Sequence, residues 1–242
     1  MATKRAAAAP EPLGGDVRTA LAERVHARLH SDVLHARLRP GEAVSENGLA
    51  RRLAVSRTPV REAVQRLVRE GLVHVLPQRG SYVALLSMQR IREALFVREA
   101  VECQIVRRIV EATPDPQGLQ ALETCIVQQA SALAAGDLEA TLRADDDFHH
   151  RLLDICGMGG VWPVVAQARD LHRRVRAIAV PELQSGERAL ADHRAIVRAL
   201  RQRKRALAEQ RIAEHLRRNE TLTRRIAALH PDYFEDNAHV ER

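Results

Sequence analysis

Aromatic residues are nearly missing from this chain, with one Trp, two Tyr and three Phe in 242 residues. Any core must therefore be aliphatic, built from Ala, Val, Leu and Ile. Cysteine is scarce too. Cys103, Cys125 and Cys156 are odd in number and form no CxxC pair, which excludes a disulfide framework and fits a reducing cytoplasm. No apolar run approaches the ~20 residues that span a bilayer, so no membrane segment is expected. Residues 1–16 hold only a four-alanine run amid Pro, Gly, Lys4 and Arg5, too short for a signal-peptide core, and read as a disordered tail. Lysine is almost absent, occurring only at Lys4 and Lys204, so 36 of the 38 basic residues are arginine. That bias lowers the meaning of any single arginine.

The net charge of +7 is unevenly placed. Residues 1–86 hold 14 Lys+Arg against 8 Asp+Glu, a surplus of 6, whereas residues 87–242 hold 24 against 23, a surplus of 1. The first segment is the one suited to a polyanionic partner.

Within that segment the spacing predicts helices over 17–38, from a Ser45 cap to Leu53, and from Thr58 to Glu70. Thr58 is expected to cap the third helix, with Pro59 at its first position. Val60, Val64, Leu67 and Val68 form its apolar stripe, and Arg61, Gln65 and Arg69 the opposite face. Gly71 closes it. Two strand-like runs, 72–76 and 81–85, flank the turn-rich Pro77-Gln-Arg79-Gly80. Three helices followed by a small hairpin is the order of a winged helix-turn-helix over 17–86. An amphipathic surface helix would carry the same outer charges, so the flanks rather than the helix carry that reading.

From Ser87 onward the pattern shows no strand and six helical stretches, roughly 88–112, 117–134, 138–156, 159–179, 186–202 and 204–229. The expected fold is mainly α: a winged helix-turn-helix domain, an all-helical bundle over 87–229, and a frayed tail over 230–242. Four polar residues interrupt the bundle's apolar rows. Asp145 and His149 lie four apart on the row Leu138, Leu142, Leu152; His193 lies with Leu190, Val197 and Leu200; His215 lies with Ile212, Asn219 and Leu222. Burying one carboxylate and three imidazoles is costly unless they converge. A divalent ion, Zn or Ni, accepts both ligand types; each histidine alone reads more readily as a hydrogen-bonded core residue, and it is the set of four that favours the metal. Arg98 sits on the apolar row Ile91, Leu95, Ile105. It either pairs with Glu102 one turn on or waits for a carboxylate to grip bidentately.

With these motifs in place, the sequence resembles the GntR family of bacterial transcription regulators, in its FadR-like branch. The resemblance rests on Pro40-Gly41-Glu42, Ser45-Glu46-x-x-Leu49-Ala50, Val55-Ser-Arg-Thr-Pro-Val-Arg-Glu-Ala63, Glu70-Gly71-Leu72 and Pro77-x-Arg79-Gly80. In the bundle it rests on Arg98 with Glu102, Asp145-x-x-Phe148-His149, His193-Arg194-x-Ile196 and His215. It spans about residues 18–229, and six bundle helices look more like the VanR-type subgroup. The resemblance implies a homodimer that binds double-stranded, palindromic operator DNA and a small organic acid at the bundle metal. By position, Arg57 and Arg61 would read bases, with Gln65 on the same face; Ser45 and Thr58 would touch phosphate or cap helices; Arg79 and Gly80 would form the wing tip near the minor groove. Asp145, His149, His193 and His215 would hold the metal, and Arg98, with Asn219, the effector.

Two residues depart from the family pattern. Ala54 stands where glycine is usual, a strain of order 1 kcal/mol if the position needs positive φ. Gly48 inside the second helix costs roughly 1 kcal/mol relative to alanine. The leading reading is a ligand-responsive DNA-binding repressor and not an enzyme. The alternatives are a metal-dependent hydrolase, which would need a general base that no motif supplies, and an architectural DNA-binding dimer.

Overall fold

The computed structural model describes residues 15–112 and 115–235. Most of the tail read over 1–16, and residues 236–242 of the other tail, lie outside the described residues. Nine α-helices and three strands are found among the described residues. They divide into two compact units. One comprises the chain to Ser31 with Glu42–Ala84; the other comprises Asp32–Gly41 with Leu85 onward. The end of the first helix and the Pro40-Gly41 turn therefore group with the bundle, where the sequence reading had placed the boundary near residue 86 alone.

The first unit runs α1 (Gly15–Leu34), β1 (Ala43–Val44), α2 (Glu46–Leu53), α3 (Arg57–Arg69), β2 (Val73–Leu76) and β3 (Gly80–Val83). Val25, Leu29, Leu49, Val60, Val64, Leu67 and Val73 are each buried and supply its aliphatic interior. The wing is a three-stranded antiparallel sheet, β1-β3-β2, and not the bare hairpin expected. Ala43 pairs with Tyr82, and Val73 with Val83. A two-residue strand carries no alternation to read, which is why the sequence concealed it.

Helices α2 and α3 end in the same motif. Leu72 N–H bonds to Leu67 C=O and Gly71 N–H to Val68 C=O; likewise Val55 N–H bonds to Ala50 C=O and Ala54 N–H to Arg51 C=O. Both closures need a left-handed residue. Gly71 meets that need freely at φ 72°, whereas Ala54 adopts φ 52° with a Cβ that resists it. The expected cap of α3 is corrected: Ser56 stands at the cap position and Thr58 inside the first turn, with Pro59 third. Pro59 remains tolerated there because the first four helical N–H groups lack intrahelical partners. Ser45 does cap α2, its hydroxyl accepting from Gly48 N–H at 3.1 Å.

The second unit holds α4 (Met88–Glu111), α5 (Pro116–Ala134), α6 (Leu138–Ile155), α7 (Trp162–Leu183), α8 (Gly186–Arg201) and α9 (Arg205–Leu229), the six helices expected. Ile105, Leu122, Phe148, Leu152, Ile196, Leu200 and Ile212 make its main core. Helix α7 starts later than expected, after a 3-10 turn at Gly159–Val161, and runs through Pro181 to Leu183. So near the C-terminus a proline forfeits one bond and does not end the helix. The tail read as frayed is packed as far as Glu235. Leu86 N–H bonds to Tyr233 C=O and Glu235 N–H to Leu86 C=O, with Tyr233 and Phe234 buried. Two of the chain's few aromatics thus anchor it.

Candidate functional site

In the bundle, α6 supplies Asp145 and His149, α8 supplies His193 and α9 supplies His215. The 3.6-residue period explains why each faces inward, since each shares its row with buried Leu or Ile. One ligand atom from each of the four lies within 4.8 Å of all the others. The sequence reading of a convergent Asp/His₃ set matches this placement.

Their outer contacts orient them. His149 Nδ1 is bound by a Glu102 carboxylate oxygen, His193 Nδ1 by Gln129 Oε1 at 2.8 Å, and His215 Nδ1 lies 3.5 Å from Asp192 Oδ2. Each imidazole therefore spends Nδ1 on a side-chain oxygen and turns Nε2 inward. His149 Nε2 and His215 Nε2 face each other at 3.2 Å. His193 Nε2 is buried with no hydrogen-bond partner, 3.4 Å from Asp145 Oδ1. An oxygen on the far nitrogen of each ring is the arrangement that fixes tautomer and aim in metal-ligating histidine. The donor set fits a divalent ion.

The electrostatics favour the ligand forms. Burial, then Arg169, lowers the His149 pKa to about 3, and burial pushes His193 well below its usual value, so both rings are neutral at pH 7. Burial alone would raise Asp145, but the permanent charges of Arg176 and Arg169 hold it well below the ordinary carboxylate range. Arg169 Nη2 reaches Asp145 Oδ2 at 2.6 Å and Arg176 Nη1 binds the same oxygen, leaving Oδ1 toward the histidines.

Arg98 resolves toward a pair: its Nε donates to Glu102 Oε1 at 2.8 Å, and the other Glu102 oxygen takes His149. Yet Arg98 also lines a cavity of about 410 Å³, with Asn219, His215 and Arg176. Pairing and lining are both met. Asn219 donates its amide to Leu216 C=O at 3.0 Å. Sequence spacing alone gives Glu102, Gln129, Asp192, Arg169 and Arg176 no role at the Asp/His₃ cluster. The available signal was the spacing Arg169, His172, Arg176, but α7 also carries Gln167, Asp170, Arg173 and Arg174, so that row does not stand out.

On the first unit, Arg57, Thr58, Arg61 and Gln65 are exposed along α3 and share a groove of about 560 Å³ with Glu46 and Glu62. Arg57 lies 3.9 Å from the Glu46 carboxylate with 69% of its side chain exposed, a contact too loose to hold it. Arg79 and Gly80 stand exposed at the wing tip, where Tyr82 Oη donates to Arg79 C=O at 2.9 Å and Gly80 has φ 102°.

A basic helix-turn-helix with a wing, joined to a helical bundle with a buried ligand site, defines a ligand-responsive DNA-binding regulator. Residues 21–83 match the family described as bacterial regulatory proteins, gntR family, and residues 93–218 match the FCD domain. The chain is 32% identical over 214 residues to the HTH-type transcriptional repressor RspR of Escherichia coli K12, covering 88% of this chain and 93% of that protein. A regulator in an unstable DNA locus of Streptomyces ambofaciens is 36% identical, covering 88% and 89%. The crystal structure of a GntR regulator from Rhodococcus sp. RHA1 superposes with a TM-score of 0.71 at 25% identity, covering 84% of this chain and 96% of that one. This chain belongs to the GntR family of transcriptional regulators, with an FCD effector-binding domain; it is not an enzyme.

Proposed function

We propose that the chain is a homodimeric repressor, released from a palindromic operator when a small carboxylate binds beside a zinc or nickel ion in the bundle. One observation carries this reading: three imidazoles with Nδ1 engaged turn Nε2 toward one carboxylate, and one of them, His215, also lines an arginine-rich cavity. Asp145, His149, His193 and His215 would hold the metal, which supplies a Lewis-acidic position for an anionic oxygen. Arg98 and Asn219 face the same cavity and would orient the acid. On α3, Arg57, Arg61 and Gln65 would read base edges, Ser45 and Thr58 would approach phosphate, and Arg79 with Gly80 would reach the neighbouring groove. A two-fold symmetric dimer is the assembly that a palindrome requires. The repressor sign follows the name of the Escherichia coli relative.

The test is a thermal-shift screen of organic acids on the full chain, with and without chelator. Linkage makes a true effector raise the melting temperature with its concentration. The reading predicts a metal-dependent shift from at least one acid. If chelation and acids alike leave both melting and operator affinity unchanged, the bundle only dimerises and the protein is an architectural DNA binder.

A further inference from the structure

Five arginines line the cavity beside the metal cluster, namely Arg98, Arg176, Arg188, Arg218 and Arg225, against one carboxylate, Asp192. Their commitments differ. Arg218 takes both oxygens of Asp192, at 2.6 and 2.8 Å, and Arg98 is held by Glu102. Arg176 binds Asp145 through Nη1 alone, and its Nη2 is buried with no partner. Among the described residues Arg188 reaches only the Asp192 already gripped by Arg218, at 3.4 Å. Arg225 makes no ion pair or hydrogen bond among the described residues. A buried donor left unused is costly unless a ligand supplies the acceptor.

These groups fall at two ends. Helices α8 and α9 pack together as an antiparallel pair, joined by a short turn and held by Arg218–Asp192. Residues before His193 on α8 therefore run alongside residues after His215 on α9. Arg188 and Arg225 accordingly share the end away from the imidazoles, and both are exposed there. Asn219 and Arg225 are six residues apart, about 9 Å along the helix axis. Leu222 lies between them and also lines the cavity.

We infer that the ligand of this cavity is a dianion: a short aliphatic acid with one anionic group at the His215–Arg98–Arg176 end and a second at Arg188 and Arg225. The inference rests on the carboxylate reading above. An acid with a single head satisfies the inner end and leaves Arg225 to solvent and Arg188 to its 3.4 Å contact with Asp192.

The experiment is titration calorimetry on the full-length protein in zinc-containing buffer at ~150 mM salt, where diffuse attraction is screened. The probes are glutarate and adipate, their one-headed counterparts pentanoate and hexanoate, and 4-phosphonobutyrate. The expected result is a dianion binding about tenfold or more tighter than its counterpart, the worth of one charge-assisted pair. Arg225→Gln, which removes no protein contact, should bring the dianion down to the one-headed level and leave the one-headed acids unchanged. Preference for 4-phosphonobutyrate would support the dianion and identify the second group as a phosphoryl type. Equal binding of one- and two-headed acids, or equal loss of both in Arg225→Gln, overturns the inference while leaving the carboxylate reading intact. Absence of binding by all five overturns both.

Discussion

Helix α3 and the bundle carry the same residue in opposite settings. On α3, Arg57 and Arg61 are exposed, and the contact of Arg57 with Glu46 spans 3.9 Å. In the bundle, Arg98 and Arg169 are 2% and 4% exposed and each grips a carboxylate within 3 Å. An exposed guanidinium works through phosphate and base edges and is weakened by salt. A buried one works through fixed geometry and is indifferent to salt, but cannot be removed without stranding its partner. The arginine bias of the composition says nothing about role; burial does.

The largest expected effect is at Arg98. Replacing it by Ala leaves the fully buried Glu102 without its cation, and the expected loss is about 3–5 kcal/mol in chemical denaturation. Arg61→Ala should change stability by less than about 0.5 kcal/mol. Similar losses from the two would erase the distinction drawn here. The burial of Arg98 also shapes its functional test. Arg98→Lys, which keeps the charge, is the informative variant: it should fold and bind operator yet lose most of its response to acid.

Metal is the next largest effect. An ion present at about 1,000 times its dissociation constant adds about 4 kcal/mol of stability. Zinc should raise the wild-type melting temperature by several degrees and leave that of His149→Ala unmoved. An equal rise in both would place the ion elsewhere.

At α3 the expected loss is smaller and of another kind. Arg61→Ala should cost ~1–3 kcal/mol in operator binding while non-specific binding falls much less, because a base contact discriminates and a phosphate contact does not. Parallel loss on both DNAs, read by fluorescence anisotropy at fixed salt, would assign Arg61 to phosphate. The smallest effect is at the turn before α3. Ala54→Gly should stabilise by roughly 1 kcal/mol, since φ 52° strains a residue with a Cβ. A loss of stability there would mean that the flexibility of glycine in the unfolded chain outweighs the strain.

What was legible in sequence follows the length scale of the pattern. The six bundle helices and the inward set Asp145, His149, His193 and His215 could be read because a 3.6-residue row over several turns is long enough to be unambiguous. The third strand of the wing, two residues long, has no pattern at all. The packed tail at Tyr233 and Phe234 was missed because an aromatic pair after a proline looks like any polar terminus until its partner Leu86 is known. The cap of α3 slipped by two positions because Ser56 and Thr58 are both capping residue types and only backbone geometry chooses. The outer acceptors Glu102, Gln129 and Asp192 come from three different helices, and residues so far apart in sequence are brought together by packing alone.

In the proposed function the buried site governs the exposed one. The decisive measurement is the affinity of the full-length protein for its own upstream DNA at ~150 mM salt, with and without a binding acid, before and after chelation. The acid should weaken specific binding about 5- to 150-fold in the metal-loaded protein. No such change is expected after chelation or in His149→Ala. An operator affinity that is the same with and without an acid known to occupy the cavity would contradict it.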